Sequence, residues 1–229
     1  MNDTTAVYIH LLKNCMACPT DGQDDIAYEL NPVMQEFPAY GHIEGTKEKY
    51  VAHELDWYLS QDLSIKGHPG IENNKVWQQC ATEDGHVNSN YGWCIFSHEN
   101  HDQYNHALNN LLMKADTKHA IMVYTRPSIV DEHHDGVHAR KDMICTPYVQ
   151  CFIRRNKLQY HVHMRSNDIW YGMRNDLAWH QWVYDKMYNQ LKAQKYSNLL
   201  VGSIFWIADS LHLYKDRVDE VKQWLESVK

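Results

Sequence analysis

The chain has no glycine-rich phosphate loop, no internal repeat and no low-complexity tract. The first absence excludes a phosphate grip of the P-loop or dinucleotide-binding type, and the other two exclude a solenoid and a biased tail. No long hydrophobic run is present. The longest, Leu199 to Ala208, is too short for a helix spanning a bilayer, which needs about 20 apolar residues, so no membrane partner is expected. The N-terminus shows no basic segment followed by an apolar one, so no secretory leader is expected. Positive charge is in deficit: 22 Lys and Arg against 29 Asp and Glu, a net −7 at pH 7. A general nucleic-acid binder would carry a basic stripe, so no direct nucleic-acid partner is expected, although a local cationic pocket for one phosphate is still allowed.

Disulfide spacing is absent too. Six cysteines fall at irregular intervals among 229 residues, which points to reduced thiols and a cytoplasmic setting. Cys15 and Cys18 form a single Cys-x-x-Cys without a second ligand pair, and no zinc or redox role is expected for it. His98, His101 and His106, and again His133, His134 and His138, cluster without a sharp spacing such as His-Glu-x-x-His. They read as solvated loop histidines, so no metal is expected.

A chain of this length buries roughly 70–75% of its unfolded surface and folds without staples. With no obvious break it reads as one domain over residues 1–229, with 1–25 polar, mixed and either divergent or poorly ordered. The periodicities predict a helix over Lys47 to Asp62, with Thr46 as N-cap and Val51, Glu54, Leu55 and Tyr58 on one face. A carboxylate on an apolar stripe reads either as an edge residue with a wet head or as a buried acid. Asn88 to Gly92 reads as a polar loop, Asp102 to Lys114 as a helix with Tyr104, Leu108, Leu111 and Leu112 inward, and Ala120 to Thr125 as a buried strand. Strands at Tyr148 to Ile153 and Leu158 to Met164 form a hairpin about Arg155-Asn156-Lys157. Leu158, Tyr160, Val162 and Met164 share one face of the second strand; Gln159, His161, His163 and Arg165 share the other, which is either exposed or packed on something polar. Asn175 or Asp176 caps a helix running to about Ala193, with Trp179, Val183, Met187 and Leu191 at steps of four. Leu199 to Ile207 reads as a strand and Val218 to Val228 as a closing helix. The irregular alternation predicts a mixed β-sheet flanked by helices.

The stretch from Arg165 to Asp176 ends a strand and opens a helix. It carries a cation, a hydroxyl, an amide and two carboxylates within twelve residues. With Cys145 and the later Asp209-Ser210-Leu211-His212-Leu213-Tyr214, it resembles the thymidylate synthase family, most closely its phage-type deoxycytidylate hydroxymethylase branch. His53-Glu54-Leu55-Asp56-Trp57-Tyr58, Val76-Trp77-Gln78-Gln79, Asn88-Ser89-Asn90-Tyr91-Gly92-Trp93 and Tyr124-Thr125-Arg126-Pro127-Ser128 support the match. The similarity runs from about residue 45 to residue 225.

The resemblance implies a mixed α/β sheet paired back to back with a second copy, which would account for the polar strand face. It also implies chemistry in which a cysteine adds to C6 of a pyrimidine nucleotide and C5 takes the methylene of 5,10-methylenetetrahydrofolate. Cys145 is then the nucleophile, and it needs a nearby cation because a free thiol is mostly protonated at neutral pH. Arg165 is the candidate for that cation. Arg165 and Ser166 match phosphate ligands, with Asn167 beside them and Arg126 in the supporting stretch. Lys118 and His119 stand where the family has two arginines reaching the other subunit's phosphate. Glu54 matches a proton-trading carboxylate, expected to have a raised pKa, and Tyr91 a tyrosine near the C5 proton. Trp77 and Asp168 match the folate side; Asp168 also reads as a strand-end turn residue. His212 and Tyr214 match sugar-hydroxyl ligands, or else form a packed pair. Asp176 stands where thymidylate synthases carry Asn. An amide suits uracil, whereas a carboxylate accepts the amino group of cytosine; the bland alternative is that Asp176 caps the helix. Thr146 follows the cysteine where thymidylate synthases usually have His.

The expected activity is hydroxymethylation of dCMP at C5 by a homodimer, in the host cytoplasm if the chain is phage-encoded. Methylation of dCMP or CMP, hydroxymethylation of CMP, and a low-turnover nucleotide-binding subunit of a DNA-precursor assembly are the alternatives.

Overall fold

The computed structural model describes residues 3–19, 27–133 and 140–228; His134 and His138 lie outside them. In chain order the elements are α1 (Asp3–Met16), β1 (Ala27–Leu30), β2 (Val33–Pro38), α2 (Glu48–Ser60), α3 (Lys75–Cys80), α4 (Tyr91–Phe96), α5 (Gln103–Met113) and β3 (Ile121–Val123). There follow α6 (Ile129–Glu132), β4 (Tyr148–Arg154), β5 (Lys157–Met164), β6 (Asn167–Asp168), α7 (Gly172–Gln194), β7 (Ser203–Ala208), β8 (Leu211–Tyr214) and α8 (Val218–Ser227). The chain forms two compact units, Met1–Thr46 with Cys151–Lys229, and Lys47–Gln150.

The first unit holds two mixed sheets. In one, β8 lies between β1, antiparallel to it, and β6, parallel to it. In the other, β7 lies between antiparallel β2 and parallel β5. Arg155 and Asn156, with φ of 50° and 59°, join β4 to β5. Two left-handed residues in succession give a turn whose twist suits a tight hairpin. Along β5 the alternation is as expected. Leu158, Tyr160, Val162 and Met164 are buried, as are Ile204, Trp206 and Ala208 of β7. Trp179, Val183, Met187 and Leu191 of α7 are buried too. The opposite face carries His161 between the rings of Phe152 and Phe205, at 5.0 and 4.7 Å. Partial burial lowers the pKa of His161 and of His163.

Three expectations need correcting here. Residues 3–16 form a helix whose buried face is Thr4, Thr5, Tyr8, Leu11, Leu12 and Cys15. That spacing is helical, but two threonines begin it. Thr5 is tolerated inside because its hydroxyl donates to the carbonyl of His42 and accepts from the Glu44 amide. The segment 27–38, on which no expectation stood, supplies β1 and β2. α7 begins at Gly172, so neither Asn175 nor Asp176 caps it. The N-cap position is Tyr171, with no side-chain cap; Asp168 holds the turn before the helix, as its strand-end turn reading expected, accepting from the amides of Trp170 and Tyr171 at 2.9 and 3.2 Å. Lastly, β7 starts at Ser203 rather than Leu199. Arg174 anchors the start of α7: its Nε donates to the Trp170 carbonyl at 2.8 Å, and its guanidinium lies 4.0 Å over the Trp170 ring and 5.8 Å from the rings of Tyr8 and Trp224.

In the second unit, α2 starts one residue later than expected. Its N-cap position is Lys47, because the Thr46 hydroxyl donates back to Ile43. The polar loop is shorter than expected, since α4 begins at Tyr91. Asn90 caps α4, accepting from the Trp93 amide at 2.8 Å while its Nδ2 donates to the carbonyls of Trp57 and Asp62. Gly92 lets α4 approach α2, for a Cβ there would stand 1.8 Å from the Tyr58 carbonyl oxygen. β3 pairs antiparallel with Tyr148–Gln150. It is not the fully buried strand expected: Met122 is inside, but Ile121 and Val123 are exposed.

Candidate active site

The second unit contains Glu54, Trp77, Tyr91, Lys118, His119, Arg126 and Cys145; the first contains Arg165, Ser166, Asn167, Asp168, Asp176, His212 and Tyr214. Each group is built locally.

Glu54 sits on the inward face of α2 and is 6% exposed, so the wet-headed edge reading does not hold. Burial pushes its carboxyl up to about 7, against the opposing bonds of its neighbours. The Tyr50 hydroxyl donates to Glu54 Oε1 at 2.7 Å and accepts from Trp77 Nε1 at 2.8 Å. Glu54 and Trp77 are therefore joined through Tyr50, one helical turn before Glu54. Tyr50 was not singled out from the sequence, and the i, i+4 spacing is the signal that could have found it.

Tyr91 is buried, stacked on Tyr58 with centroids 5.2 Å apart and met edge-on by Tyr124. Its hydroxyl accepts from Thr146 Oγ1 at 3.1 Å. That bond ties Tyr91 to the residue after Cys145, whose half-buried thiol lies 3.8 Å from the Met143 carbonyl. The fixed point of this region is Asp142, which the sequence did not flag. Its carboxylate accepts from the amides of Asn88 and Ser89 at 2.7 to 2.9 Å. Burial nevertheless raises its pKa.

Arg126 is bonded to Glu132 through Nε at 3.0 Å and through Nη2, and to Asn88 Oδ1 at 2.8 Å. Arg140 reaches the same two partners. The guanidinium of Arg126 also stands 5.1 Å over the Trp93 ring. Lys118 and His119 are exposed at the entry to β3, the carbonyl of Lys118 held by Gln150 Nε2 at 2.8 Å.

In the first unit Arg165 is exposed and Ser166 half-buried just before β6. Asn167 is buried, and its Nδ2 donates to Asp176 Oδ2 at 2.8 Å. Asp168 pairs with His212 across the β6–β8 ladder, and burial raises its carboxyl. His212 and Tyr214 share one face of β8 with ring centroids 5.0 Å apart, as the period of two predicts. Asp176 stands one turn inside α7, so the helix-cap reading does not hold, and its carboxylate accepts from the Asn167 side chain.

Among the described residues no group of three His, Cys, Asp or Glu side chains could hold a metal ion, and no helix is long and apolar enough to cross a membrane.

Within the second unit, a buried acid of raised pKa and a half-buried thiol suit nucleophilic and acid–base work. Comparison with known proteins places the chain: it matches the thymidylate synthase family over residues 25–229 and belongs to it. The α1 helix lies outside that match. The chain is 42% identical over 179 residues to the deoxycytidylate 5-hydroxymethyltransferase of Enterobacteria phage T4, a match covering 77% of this chain and 71% of the phage protein. The corresponding protein of phage T6 matches to the same extent. The thymidylate synthase of Corynebacterium aurimucosum is 28% identical over 190 residues, covering 79% of this chain and 65% of that one.

Proposed function

We propose that the chain is a deoxycytidylate 5-hydroxymethyltransferase. It combines dCMP, the one-carbon unit of 5,10-methylenetetrahydrofolate and water into 5-hydroxymethyl-dCMP and tetrahydrofolate. The observation that carries this reading is 42% identity to the phage dCMP hydroxymethyltransferases, against 28% to a thymidylate synthase over a similar span. The placement of Asp176 supports it, since a carboxylate not used as a helix cap suits an amino donor such as N4 of cytosine.

The Cys145 thiolate adds to C6, and the electron pair moves to C5. C5 bonds to the one-carbon unit that methylenetetrahydrofolate supplies when bound. The C5 proton then leaves to water on the Tyr91 side, and loss of the folate amine would leave an exocyclic methylene. Water adds to that methylene, and departure of the Cys145 sulfur restores the ring. Glu54, titrating near neutrality, trades protons with the base. Asp176 accepts from the cytosine amino group. Arg165, Ser166 and Asn167 serve the nucleotide, together with Arg126, and His212 and Tyr214 serve its sugar. Trp77 presents a half-buried indole, a flat wall suited to a pterin ring. Asp168 presents a half-buried carboxylate with lone pairs left over after its bonds to the turn amides. Both suit the folate.

The polar-and-aromatic face of the β2–β7–β5 sheet is proposed as the homodimer contact. Met34, 76% exposed, lies opposite Ile207 there, and Phe205 opposite His161. In such a dimer Lys118 and His119 serve the phosphate bound by the second copy. The family match runs through both units, which supports reading the chain as one functional domain.

Folate-dependent tritium release from 5-labelled dCMP, with the product weighed, tests the activity. A hydroxymethyl product with tetrahydrofolate is expected. A methyl product with dihydrofolate would make the chain a methyltransferase, and binding without release would leave it a nucleotide-binding subunit.

A further inference from the structure

We infer that Asn167 is a second determinant of base choice, with its orientation set by the charge of Asp176. The inference rests on the proposed dCMP reading and concerns how that base is selected.

Three observations carry it. Asn167 is 3% exposed, held by its backbone amide to the Ser210 carbonyl at 2.8 Å. Its Nδ2 donates to Asp176 Oδ2 at 2.8 Å. Its Oδ1 is buried and has no hydrogen-bond partner among the described residues. A buried acceptor without a partner is costly, so this oxygen calls for a donor that the chain itself does not supply.

An asparagine amide has a donor end and an acceptor end, and rotation by half a turn exchanges them. Here the exchange is blocked. Turning Oδ1 toward the Asp176 carboxylate would set acceptor against acceptor and break a charge-assisted bond. An ionised Asp176 therefore keeps Oδ1 pointing away from itself, adding an acceptor to the one Asp176 provides. Two acceptors side by side suit an exocyclic amino group, which has two N–H bonds to give, and repel a carbonyl oxygen at the same place. With Asn at 176, the neighbour could donate as well as accept. Asn167 would then be free to turn, and its NH₂ could be presented instead. One charge at 176 thus decides the polarity of two side chains, and the preference for an aminopyrimidine is a joint property of the pair.

The test is a double-substitution cycle, Asn167→Ala with Asp176→Asn, on the full-length protein. Competition calorimetry of dCMP against dUMP reads discrimination without turnover, and kcat/KM for both nucleotides reads it with turnover. Asn167→Ala is expected to lower the dCMP-over-dUMP ratio at least about tenfold, or about 1.4 kcal/mol, acting mainly on dCMP. In the Asp176→Asn background the same substitution should change the ratio by less than about twofold, because the orientation is no longer imposed. Asn167→Ser, smaller but still polar, provides a second reading if the alanine variant unfolds. Equal losses for both nucleotides would reduce Asn167 to a structural role and overturn the inference. Ratios that simply multiply in the double variant would also overturn it. If dCMP is never turned over but binding discrimination behaves as stated, the inference stands and the proposed reaction falls.

Discussion

Replacing Glu54 by Gln should change the pH dependence of stability in a way that can be worked out beforehand. The Glu54 carboxyl titrates near 4.5 in the unfolded chain and at about 7 in the folded one, because it is buried. Between those values the native state holds a proton that the unfolded state has released. Stability is therefore fully present at low pH and is lost as pH rises through this window. Moving the titration from 4.5 to about 7 corresponds to about 3 kcal/mol once both states are ionised. Gln keeps the shape and still accepts from the Tyr50 hydroxyl, but it carries no charge to desolvate. Urea unfolding of both proteins at about pH 5 and about pH 8 measures the effect, and the gap between the proteins cancels every other titrating group. The Gln variant should gain on wild type by about 2–3 kcal/mol from the lower pH to the higher. A gap that stays constant, or moves the other way, would refute a buried acid of raised pKa at 54. The variant should also lose proton exchange at C5, since an amide cannot trade protons near neutrality.

Cys145→Ser should lower tritium release from dCMP on the order of 10³-fold or more, while calorimetry still detects dCMP binding; a serine variant of near-normal rate would remove Cys145 from the chemistry. Asp142→Asn places an amide against the N–H groups of Asn88 and Ser89 and should cost ~1–3 kcal/mol in urea unfolding. Gly92→Ala forces a methyl into the Tyr58 carbonyl and should destabilise by roughly 3 kcal/mol or more; a variant of unchanged Tm would contradict the close approach of α2 and α4.

Some of this site could be read along the chain. The helical spacing put Glu54 on an otherwise apolar face, because a helix places residues three and four apart on the same side; whether its head was wet or buried was left to the fold, which buried it. His212 and Tyr214 were correctly placed together by the period of a strand. Asp142 could not be read this way. An aspartate 54 residues from the amide it binds leaves no local trace. Arg174 was given no structural reading from the sequence, and it is buried among aromatic rings brought from α1, the start of α7 and α8. The α1 helix was missed because Thr4 and Thr5 count as polar, although both are buried and the chain near residue 42 supplies the partners of the Thr5 hydroxyl.

What the sequence determined by itself was whatever repeats at short range: the hairpin about Arg155 and Asn156, the two faces of β5, the buried stripe of α7, and the order of motifs that marks the family. Only the folded chain decided what each carboxylate holds. Asp168 and Asp176 are chemically alike and eight positions apart, yet Asp168 holds the turn amides of Trp170 and Tyr171, whereas Asp176, one turn inside α7, receives the side-chain amide of Asn167. Periodicity is a property of neighbours in sequence, whereas a hydrogen bond depends on neighbours in space.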